Sequence, residues 1–444
     1  MPKHSQDGLE WDSSGLDLVP RWTRQPSTEA IETVCRQRLH ISSNTSCSIT
    51  FHAEGAFNKL YLVKTYEQSL LMRVTLPVCP RHKTRGEVTT TRWLAENTTI
   101  PVPNIVAFDD TSNNEIGFEW ILMELMPGET AWRKWRTLKM AQKVFLTQRI
   151  AEFQAQLFRH NFPGASFRGI GTLGCAAGGE ESTGPGQLVS GMFFMGDHIN
   201  YDGVHRGPFR SSHDWVKSYL EIAMREFEDI KANCEEEDEV EEAEDALIVA
   251  KQLLTLLPKI FPPIEEPPER TVLMHHDLGP SNILLDEDGN VSAVLDWECV
   301  SAMPLWAVTE VPKFLRNCDR EDEPKRETYA DETPPPEGSS GNGQQDPDEL
   351  DNEGKNELYW IHLMEYETTQ LRKIYHDKMR SIWPDWDLCV EESRLKLDFY
   401  EAVARCSDGW FLGGVQRWVN KIEAGDFVTL ESVLNRGPVV KYTG

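Results

Sequence analysis

The pattern of apolar and polar positions changes its period along the 444-residue chain. Residues 27–40 repeat apolar positions as a short amphipathic helix does, with Ser27 as the residue that caps its start. From 47 to 77, apolar and polar positions alternate, and turn-forming residues such as Gly55 interrupt the alternation. This pattern predicts three antiparallel strands, at about 47–54, 59–65 and 69–76.

A helical period follows the third strand over 82–96, and two β-prone runs then complete a small sheet. The dipeptide Pro-Gly at 127–128 is a turn signal that closes this part. We therefore expect a strand-rich unit at 47–126 that contains one helix. An N-terminal extension at 1–46, which also contains a helix, precedes it.

Beyond the Pro-Gly turn the pattern is mostly helical. Residues 145–160 carry an apolar stripe at helical spacing. Further helical stretches lie at 213–232, 245–261 and 357–379. We expect 127–444 to form a larger, mainly helical part that contains a hairpin and its preceding loop over 275–298. The apolar stretch 297–315 is also predicted to be helical.

Negative charge is concentrated in two segments. Residues 235–245 hold nine acids and no base, and residues 319–357 hold fourteen acids and four bases. Together they carry −19 of the net charge of −27, which leaves −8 for the rest. We expect an acidic insert at 232–247, solvated as a loop or a helix face, with a binding surface for cationic substrates as the alternative. We also expect a disordered acidic loop at 319–357. Without a basic surface, binding to nucleic acid or to an anionic membrane is disfavoured.

The cysteines and the apolar runs bear on the compartment. Nine cysteines without a C-x-x-C spacing argue against a disulfide framework and against a cysteine zinc site. The sequence has no run of about eighteen apolar residues, and its first residues lack the apolar core of a signal peptide. We expect reduced thiols and a cytoplasmic location.

The segment 271–298 holds the candidate chemistry. It reads TVLMHHDLGPSNILLDEDGNVSAVLDWE and contains the pattern H-x-D-x-x-x-x-N, formed by His275, Asp277 and Asn282. An Asp-Gly turn signal between two apolar runs predicts a β-hairpin, with Asn282 at its start and Asp296 at its end.

A hairpin brings its two ends together, so the Asn282 amide and the Asp296 carboxylate should lie side by side. Both are oxygen ligands of the kind that Mg²⁺ prefers. Asp277 precedes Asn282 on the same loop and could accept a proton from a hydroxyl nucleophile without binding the metal. The alternative is a turn-rich structural hairpin with solvated side chains.

With these motifs the chain resembles the aminoglycoside phosphotransferase family, the small-molecule branch of the protein-kinase-like fold. That family has a catalytic loop H-x-D-x-x-x-x-N and a metal-binding Asp followed by an aromatic residue, as in Asp296-Trp297 here. The resemblance covers about 47–310, and DWECVSAMPLW is similar to fungal members. It implies an α+β class and a bilobal fold: a small antiparallel β-sheet N-lobe with one helix, and a larger, mainly helical C-lobe.

By this resemblance Asp277 is the catalytic base that positions the acceptor hydroxyl, while Asn282 and Asp296 hold Mg²⁺. The implied cofactors are ATP and Mg²⁺. The implied activity is transfer of the γ-phosphate of ATP to a hydroxyl of a small molecule.

The resemblance also assigns nucleotide-binding positions in the strand-rich part. Arg73 takes the place of the third-strand lysine that touches nucleotide phosphates, and Glu87 is the helix residue that would pair with it. An ordinary surface ion pair is the alternative for these two. Glu124 and Met126 fall at the hinge, where backbone groups meet adenine, and Gly55 is the phosphate-covering turn.

Two departures leave a second class of function open. Arginine replaces lysine at 73, and the phosphate-covering turn has one glycine where protein kinases have three. The alternative is therefore a catalytically weak relative that binds nucleotide and acts as an interaction or regulatory module.

The acceptor is predicted to be small rather than a protein, because Gly279 stands where protein kinases place a lysine two residues after the catalytic Asp. The residual charge of −8 favours a cationic, hydroxyl-bearing molecule, either aminoglycoside-like or a metabolite.

Overall fold

The structure, a computed structural model, describes residues 6–15, 17–158, 167–175, 183–332, 350–435 and 441–442. The fold is α+β and bilobal, with an antiparallel β-sheet N-lobe and a larger, mainly helical C-lobe. The elements of the first part, in chain order, are β1 (Leu9–Asp12), β2 (Val19–Trp22), α1 (Thr28–Arg38), β3 (Cys47–Glu54), β4 (Asn58–Thr65), β5 (Ser69–Thr75), α2 (His82–Asn97), β6 (Ile105–Asp109) and β7 (Glu119–Glu124).

The N-lobe is a five-stranded antiparallel sheet in the order β3-β4-β5-β7-β6, packed between α1 and α2. Alternation along β5 sorts its side chains onto the two faces. Leu70, Met72 and Val74 belong to the core on the α1 side, whereas Leu71 packs on the α2 side. The same period directs Arg73 towards α2. The predicted bounds of β3, β4, β5 and α2 agree with the observed ones to within one residue.

The N-terminal extension contains a hairpin that the sequence analysis did not predict. Strands β1 and β2 pair antiparallel, with Leu9 opposite Trp22. Trp22 makes an edge contact with Phe118 just before β7, at 5.0 Å between ring centroids. Four-residue strands carry too short an alternation to be distinguished from loops by pattern.

The second part contains short strands among long helices. Its elements, in chain order, are β8 (Glu129–Thr130), α3 (Ala131–Lys134), α4 (Met140–Phe158), β9 (Phe167–Arg168), β10 (Gly171–Cys175), β11 (Thr183–Pro185), α5 (Gly191–Phe194), α6 (Ser212–Asn233), α7 (Glu237–Ile260), β12 (Arg270–Met274), β13 (Ile283–Leu285), β14 (Val291–Val294), β15 (Ser301–Pro304), α8 (Glu357–Ile382), α9 (Trp386–Arg405), α10 (Gly409–Glu423) and α11 (Leu430–Leu434). Short 3-10 helices lie at His198–Asn200, Pro280–Asn282, Leu305–Val308, Lys313–Leu315 and Arg326–Thr328.

One large apolar core holds the helices of the C-lobe together. Helix α6 packs along α7, and α4 packs along α8. Within the part of the chain that the structure describes, no helix combines the length and apolar character needed to span a membrane.

The acidic run at 235–245 forms the first turns of a helix. Helix α7 begins at Glu237, earlier than the predicted start at 245, and carries Glu237, Asp238 and Glu239 in its first turn. Negative charges there interact favourably with the positive end of the helix dipole. Of a loop and a helix face, the two forms expected for this insert, the helix face is the one observed.

The described residues of the acidic loop predicted at 319–357 form ion pairs with α8 and with one another. Arg320 pairs with Glu365 of α8 at 2.9 Å, and Asp331 pairs with Lys355 at 2.6 Å. Asp319 also pairs with Arg372 of α8. Residues 333–349, the middle of the predicted disordered segment, lie outside the described residues.

The prediction of a helix over 297–315 is wrong. Residues 301–304 form β15, which pairs with β12 on one side and β10 on the other. All four residues of β15 are buried. Because both faces of this strand are buried, it shows no alternation of apolar and polar positions, and so short a run cannot be told from a buried helix by its pattern. Two 3-10 turns complete the stretch.

Candidate active site

Asp277 lies in the loop between β12 and the 3-10 helix that starts at Pro280. Its Oδ2 accepts a hydrogen bond from Asn282 Nδ2 at 3.1 Å, and its Oδ1 accepts one from Lys313 Nζ at 2.5 Å. Asn282 Nδ2 also donates to the Asp277 carbonyl at 2.8 Å. The side chain remains 46% exposed. A carboxylate has about four lone-pair sites, so Asp277 can still accept a further proton donor.

His275 fixes the conformation of this loop. Its Nδ1 accepts the Asp277 N–H at 3.2 Å, and its Nε2 donates to the Leu295 carbonyl at 3.0 Å. Its ring meets the edge of Trp297 at 4.7 Å. Burial lowers the pKa of His275, which agrees with the neutral tautomer that these two bonds require. His275 is thus a packed loop residue rather than an exposed acid or base.

The hairpin of β13 and β14 brings Asn282 and Asp296 to the same end, as the sequence predicted. Leu295 N donates to the Asn282 carbonyl at 2.8 Å, directly beyond the pair of Ile283 and Val294. Asp296 follows with φ 63°, in the left-handed region that Asp tolerates better than most residues.

These two side chains fit a magnesium ion. Because Asn282 Nδ2 donates to Asp277, its amide oxygen is left as an acceptor, and Asp296, at the same end of the hairpin, has a partly exposed carboxylate. One amide oxygen and one carboxylate suit an ion that takes its other ligands from phosphates and water. Among the described residues there is no cluster of three or more His, Cys, Asp or Glu that could hold a metal.

Arg73 and Glu87 form a buried pair, with Nη1 and Oε1 2.7 Å apart. Nη2 of Arg73 also contacts Asp296 at 2.9 Å, and it contacts Glu298. Burial alone would lower the pKa of Arg73, but Glu87, Glu298 and Asp296 raise it. Three carboxylates thus hold the guanidinium, and its expected contact with nucleotide phosphates stays a prediction.

Glu298 joins the two lobes, a role that the sequence analysis did not find. Its carboxylate pairs with Arg73 of β5 and with Lys83 of α2, and it accepts from Asn58 Nδ2 at 2.8 Å. Lys83 Nζ donates to Asn58 Oδ1 at 3.1 Å. We call Asn58, Arg73, Lys83, Glu87 and Glu298 the Glu298 network. It connects β4, β5 and α2 to the loop that carries Asp296.

One local signal could have pointed to this network. Lys83 and Glu87 are four residues apart on the predicted helix, so they lie on the same face. The partner on the other lobe is more than 200 residues away, and no local pattern identifies it.

The charge of Glu298 depends on its two cationic partners. Burial would raise its pKa, but Lys83 and Arg73 lower it from 4.5 to about 2. Because the folded-state pKa lies below the ordinary value, the charge of Glu298 stabilises the fold fully above pH 4.5. That stabilisation is lost as the pH falls towards 2.

The substitution Glu298→Gln should lower the free energy of unfolding by about 3 kcal/mol at pH 7, because Arg73 and Lys83 then lose a buried counter-charge. Urea denaturation of both proteins measures the difference. Glu321→Gln is a matched control, since Glu321 pairs with Lys373 on the surface and such pairs contribute at most about 1 kcal/mol. Equal losses in the two variants would contradict the role given to Glu298.

The turn between β3 and β4 is open at Gly55. Gly55 N donates to the Asn58 carbonyl at 2.9 Å, and a Cβ at Gly55 would meet no atom within 4 Å. This turn lies where Asn58 pairs with Thr75, at one end of β5.

Glu124 and Met126, the positions predicted to form the hinge, lie at the other end of β5, where Leu70 pairs with Glu124. Glu124 N donates to the Asn104 carbonyl at 2.9 Å, and Met126 is half-buried just beyond β7. Five residues of strand separate the two ends, roughly 17 Å. A nucleotide with its phosphates under Gly55 and its base at the hinge would therefore lie along the sheet.

Comparisons with known proteins give a family. A profile of the phosphotransferase enzyme family (APH) matches residues 48–330. The chain is 33% identical over 114 residues to a subtelomeric hrmA-associated cluster protein of Aspergillus fumigatus, a match that covers 25% of this chain and 22% of that protein. It is 27% identical over 247 residues to the clavilactone A biosynthesis cluster protein Y of Ampulloclitocybe clavipes, covering 54% and 55%. The first match spans about a fifth of the length of its relative, and the second spans about half.

Solved structures to which the chain is similar include two aminoglycoside phosphotransferases. APH(4)-Ia is 13% identical, with 93% of this chain and 100% of that chain covered and a TM-score of 0.44. APH(2'')-Ib in its ADP-bound form is 12% identical, with 93% and 98% covered and a TM-score of 0.44.

Proposed function

The chain belongs to the phosphotransferase enzyme family, and on this basis we propose that it transfers the γ-phosphate of ATP to a hydroxyl of a small molecule. The observation that carries the proposal is the junction of Asp277, Asn282 and Asp296 at one end of the β13–β14 hairpin. It brings a half-exposed carboxylate close to two side chains with oxygen atoms of the kind that bind Mg²⁺, which supports a site for phosphoryl transfer from a nucleotide.

In this proposal Asp277 accepts the proton of the acceptor hydroxyl as that oxygen attacks the γ-phosphorus. Asn282 holds the carboxylate in place through Nδ2, and its amide oxygen and Asp296 would hold Mg²⁺. The ion supplies charge neutralisation for the phosphates. Glu87 and Arg73 fix the position of β5 relative to α2, beside the path proposed for the phosphates under Gly55. Backbone groups of Glu124 and Met126 would receive the adenine.

The acceptor is proposed to be a small molecule in the cytoplasm. One relative is named for a biosynthesis cluster, which fits a metabolite at least as well as an aminoglycoside-like compound. The lack of a lysine at 279 is a weaker argument against a protein acceptor than the sequence suggested, since Lys313 lies beside Asp277.

A binding assay followed by a turnover assay tests the function. Mg-ATP should raise the melting temperature of the protein, and ATP should then be consumed with a hydroxyl compound from a library of cationic, neutral and anionic members. Stabilisation by Mg-ATP without turnover on any member would favour the alternative, a nucleotide-binding interaction or regulatory module. Preference for a peptide Ser or Thr over every small molecule would contradict the proposal.

A cationic acceptor predicts a particular dependence on salt. The acidic surface should speed its capture, and salt screens this attraction over a Debye length of about 8 Å at physiological ionic strength. We expect kcat/KM to fall as salt rises from low to physiological concentration, while kcat changes little. A neutral acceptor from the same library is the control. A kcat/KM that does not respond to salt would contradict the cationic character.

A further inference from the structure

Lys313 is held against Asp277 by a rigid turn. It opens the 3-10 helix Lys313–Leu315, whose other two residues are buried. Phe314 makes an edge contact with Trp135 at 6.2 Å between ring centroids, and the Leu315 carbonyl accepts from Arg372 Nη1 at 2.5 Å. Lys313 itself is 62% exposed, and its Nζ lies 2.5 Å from Asp277 Oδ1.

The stem of Lys313 lies beside the space that a side chain at 279 would enter. A Cβ at Gly279 would lie 3.9 Å from Asp277 Oδ1 and 3.9 Å from Lys313 Cδ. Gly279 has φ −105° and ψ 169°, an extended conformation open to any residue. The loop thus has no lysine at position 279, but the side chain of Lys313, 34 positions further along the chain, lies next to that position.

Two other cations near this site are held by carboxylates of their own. Arg73 is held by three carboxylates, and Lys83 is 1% exposed and bonded to Glu298 and Asn58. Lys313 by contrast is mostly exposed, and its Nζ contacts the carboxylate that would receive the acceptor proton. When the acceptor hydroxyl donates to Asp277 in transfer geometry, its oxygen lies about 3 Å from the phosphorus. An ammonium group bound to the same Asp277 carboxylate is therefore within reach of the phosphoryl oxygens.

We propose that Lys313 is a further catalytic residue, whose ammonium contacts the phosphoryl group during transfer while it holds Asp277. This inference rests on the proposed function. The acceptor oxygen forms a bond to the γ-phosphorus, and the bond from that phosphorus to the bridging oxygen breaks. The electron pair leaves with ADP, and the acceptor proton passes to Asp277. A fixed cation there stabilises the charge on the equatorial oxygens, which is greatest in the transition state.

Binding of a transition-state mimic tests this without turnover. For Lys313→Met, we expect the affinity for Mg-ADP with fluoroaluminate to fall on the order of ten- to hundredfold, with less than a twofold change for Mg-ADP alone, by titration calorimetry. Lys373→Met is the matched control, because Lys373 is 58% exposed and pairs with Glu321 at 3.1 Å, outside the site. An equal affinity of wild type and Lys313→Met for the mimic would overturn the inference.

A rescue variant separates charge from structure. Adding Gly279→Lys to Lys313→Met should restore most of the lost affinity, because the new stem enters the space beside Asp277. Failure of this rescue in a variant with wild-type melting temperature would show that Lys313 acts through its turn, and would overturn the inference. Phosphate release from Mg-ATP with water as acceptor tests the function separately. A wild type that neither binds Mg-ADP nor releases phosphate contradicts the proposed function itself, whereas an active wild type unaffected by Lys313→Met contradicts only the role of Lys313.

Discussion

Asp277→Asn should reduce phosphoryl transfer on the order of a hundredfold or more, as the loss of a general base does, and leave the affinity for Mg-ATP nearly unchanged. The amide cannot take the acceptor proton, but its oxygen can still accept from Lys313 or Asn282, the two donors that hold Asp277. Asp277 is placed beside the proposed metal ligands and is not one of them. The measurements are the turnover number with saturating acceptor and the dissociation constant of Mg-ATP.

The control for Asp277→Asn is the same chemical change in the neighbouring hairpin. Asp288 is exposed in the turn between β13 and β14, so Asp288→Asn should leave turnover within about twofold, since surface substitutions rarely disturb a fold. Melting temperatures of both variants establish that the fold is retained. Wild-type turnover in Asp277→Asn would remove Asp277 from the role of base.

Asp296→Asn should weaken Mg-ATP binding at least about tenfold, because an anionic ligand of the metal is lost. Asparagine is the suitable replacement here for two reasons. It tolerates the left-handed backbone conformation of residue 296, and its amide oxygen can still accept from Arg73 Nη2, as Asp296 Oδ1 does at 2.9 Å. Isothermal titration with Mg-ATP measures the effect.

Removal of the metal provides the internal comparison for Asp296→Asn. In the presence of a chelator, wild type and variant should bind ATP with similar, weaker affinity, so that the difference between them appears only as Mg²⁺ is added. If the two proteins bind Mg-ATP equally well, Asp296 does not bind the metal. A difference that persists without Mg²⁺ would instead assign Asp296 to the positioning of Arg73.

Much of the N-lobe and of the hairpin was predictable because local interactions decide them. Alternation with a period of two marks β3, β4 and β5, and in β5 it also directs Arg73 to the face of α2. The hairpin follows from an Asp-Gly turn, in which Gly289 takes φ 87°. The two ends of a hairpin must meet, so the proximity of Asn282 and Asp296 was already implied by the sequence.

In two other segments the local sequence pattern was not enough to predict the structure. Residues 301–304 are as apolar as a buried helix, and only their pairing with β12 and β10 makes them a strand. The segment 319–332 lacks apolar residues for a core of its own. It is ordered against α8 through charged side chains such as Arg320 with Glu365, a partner that composition does not reveal.

The sequence by itself determined the bounds of β3, β4, β5 and α2 and the hairpin that brings Asn282 close to Asp296. Through the family resemblance, its motifs also indicated the bilobal class. Only the tertiary structure decided which charges meet at the site. Glu298 joins Arg73 and Lys83 across more than 200 residues, and Lys313 reaches Asp277 from a separate turn. Backbone periodicity is a property of neighbouring residues, whereas the partner of a buried or clustered charge is set by how distant elements pack. For that reason the sequence indicated the candidate base and metal ligands together with Arg73, while the contacts of Lys83, Glu298 and Lys313 emerged only from the fold.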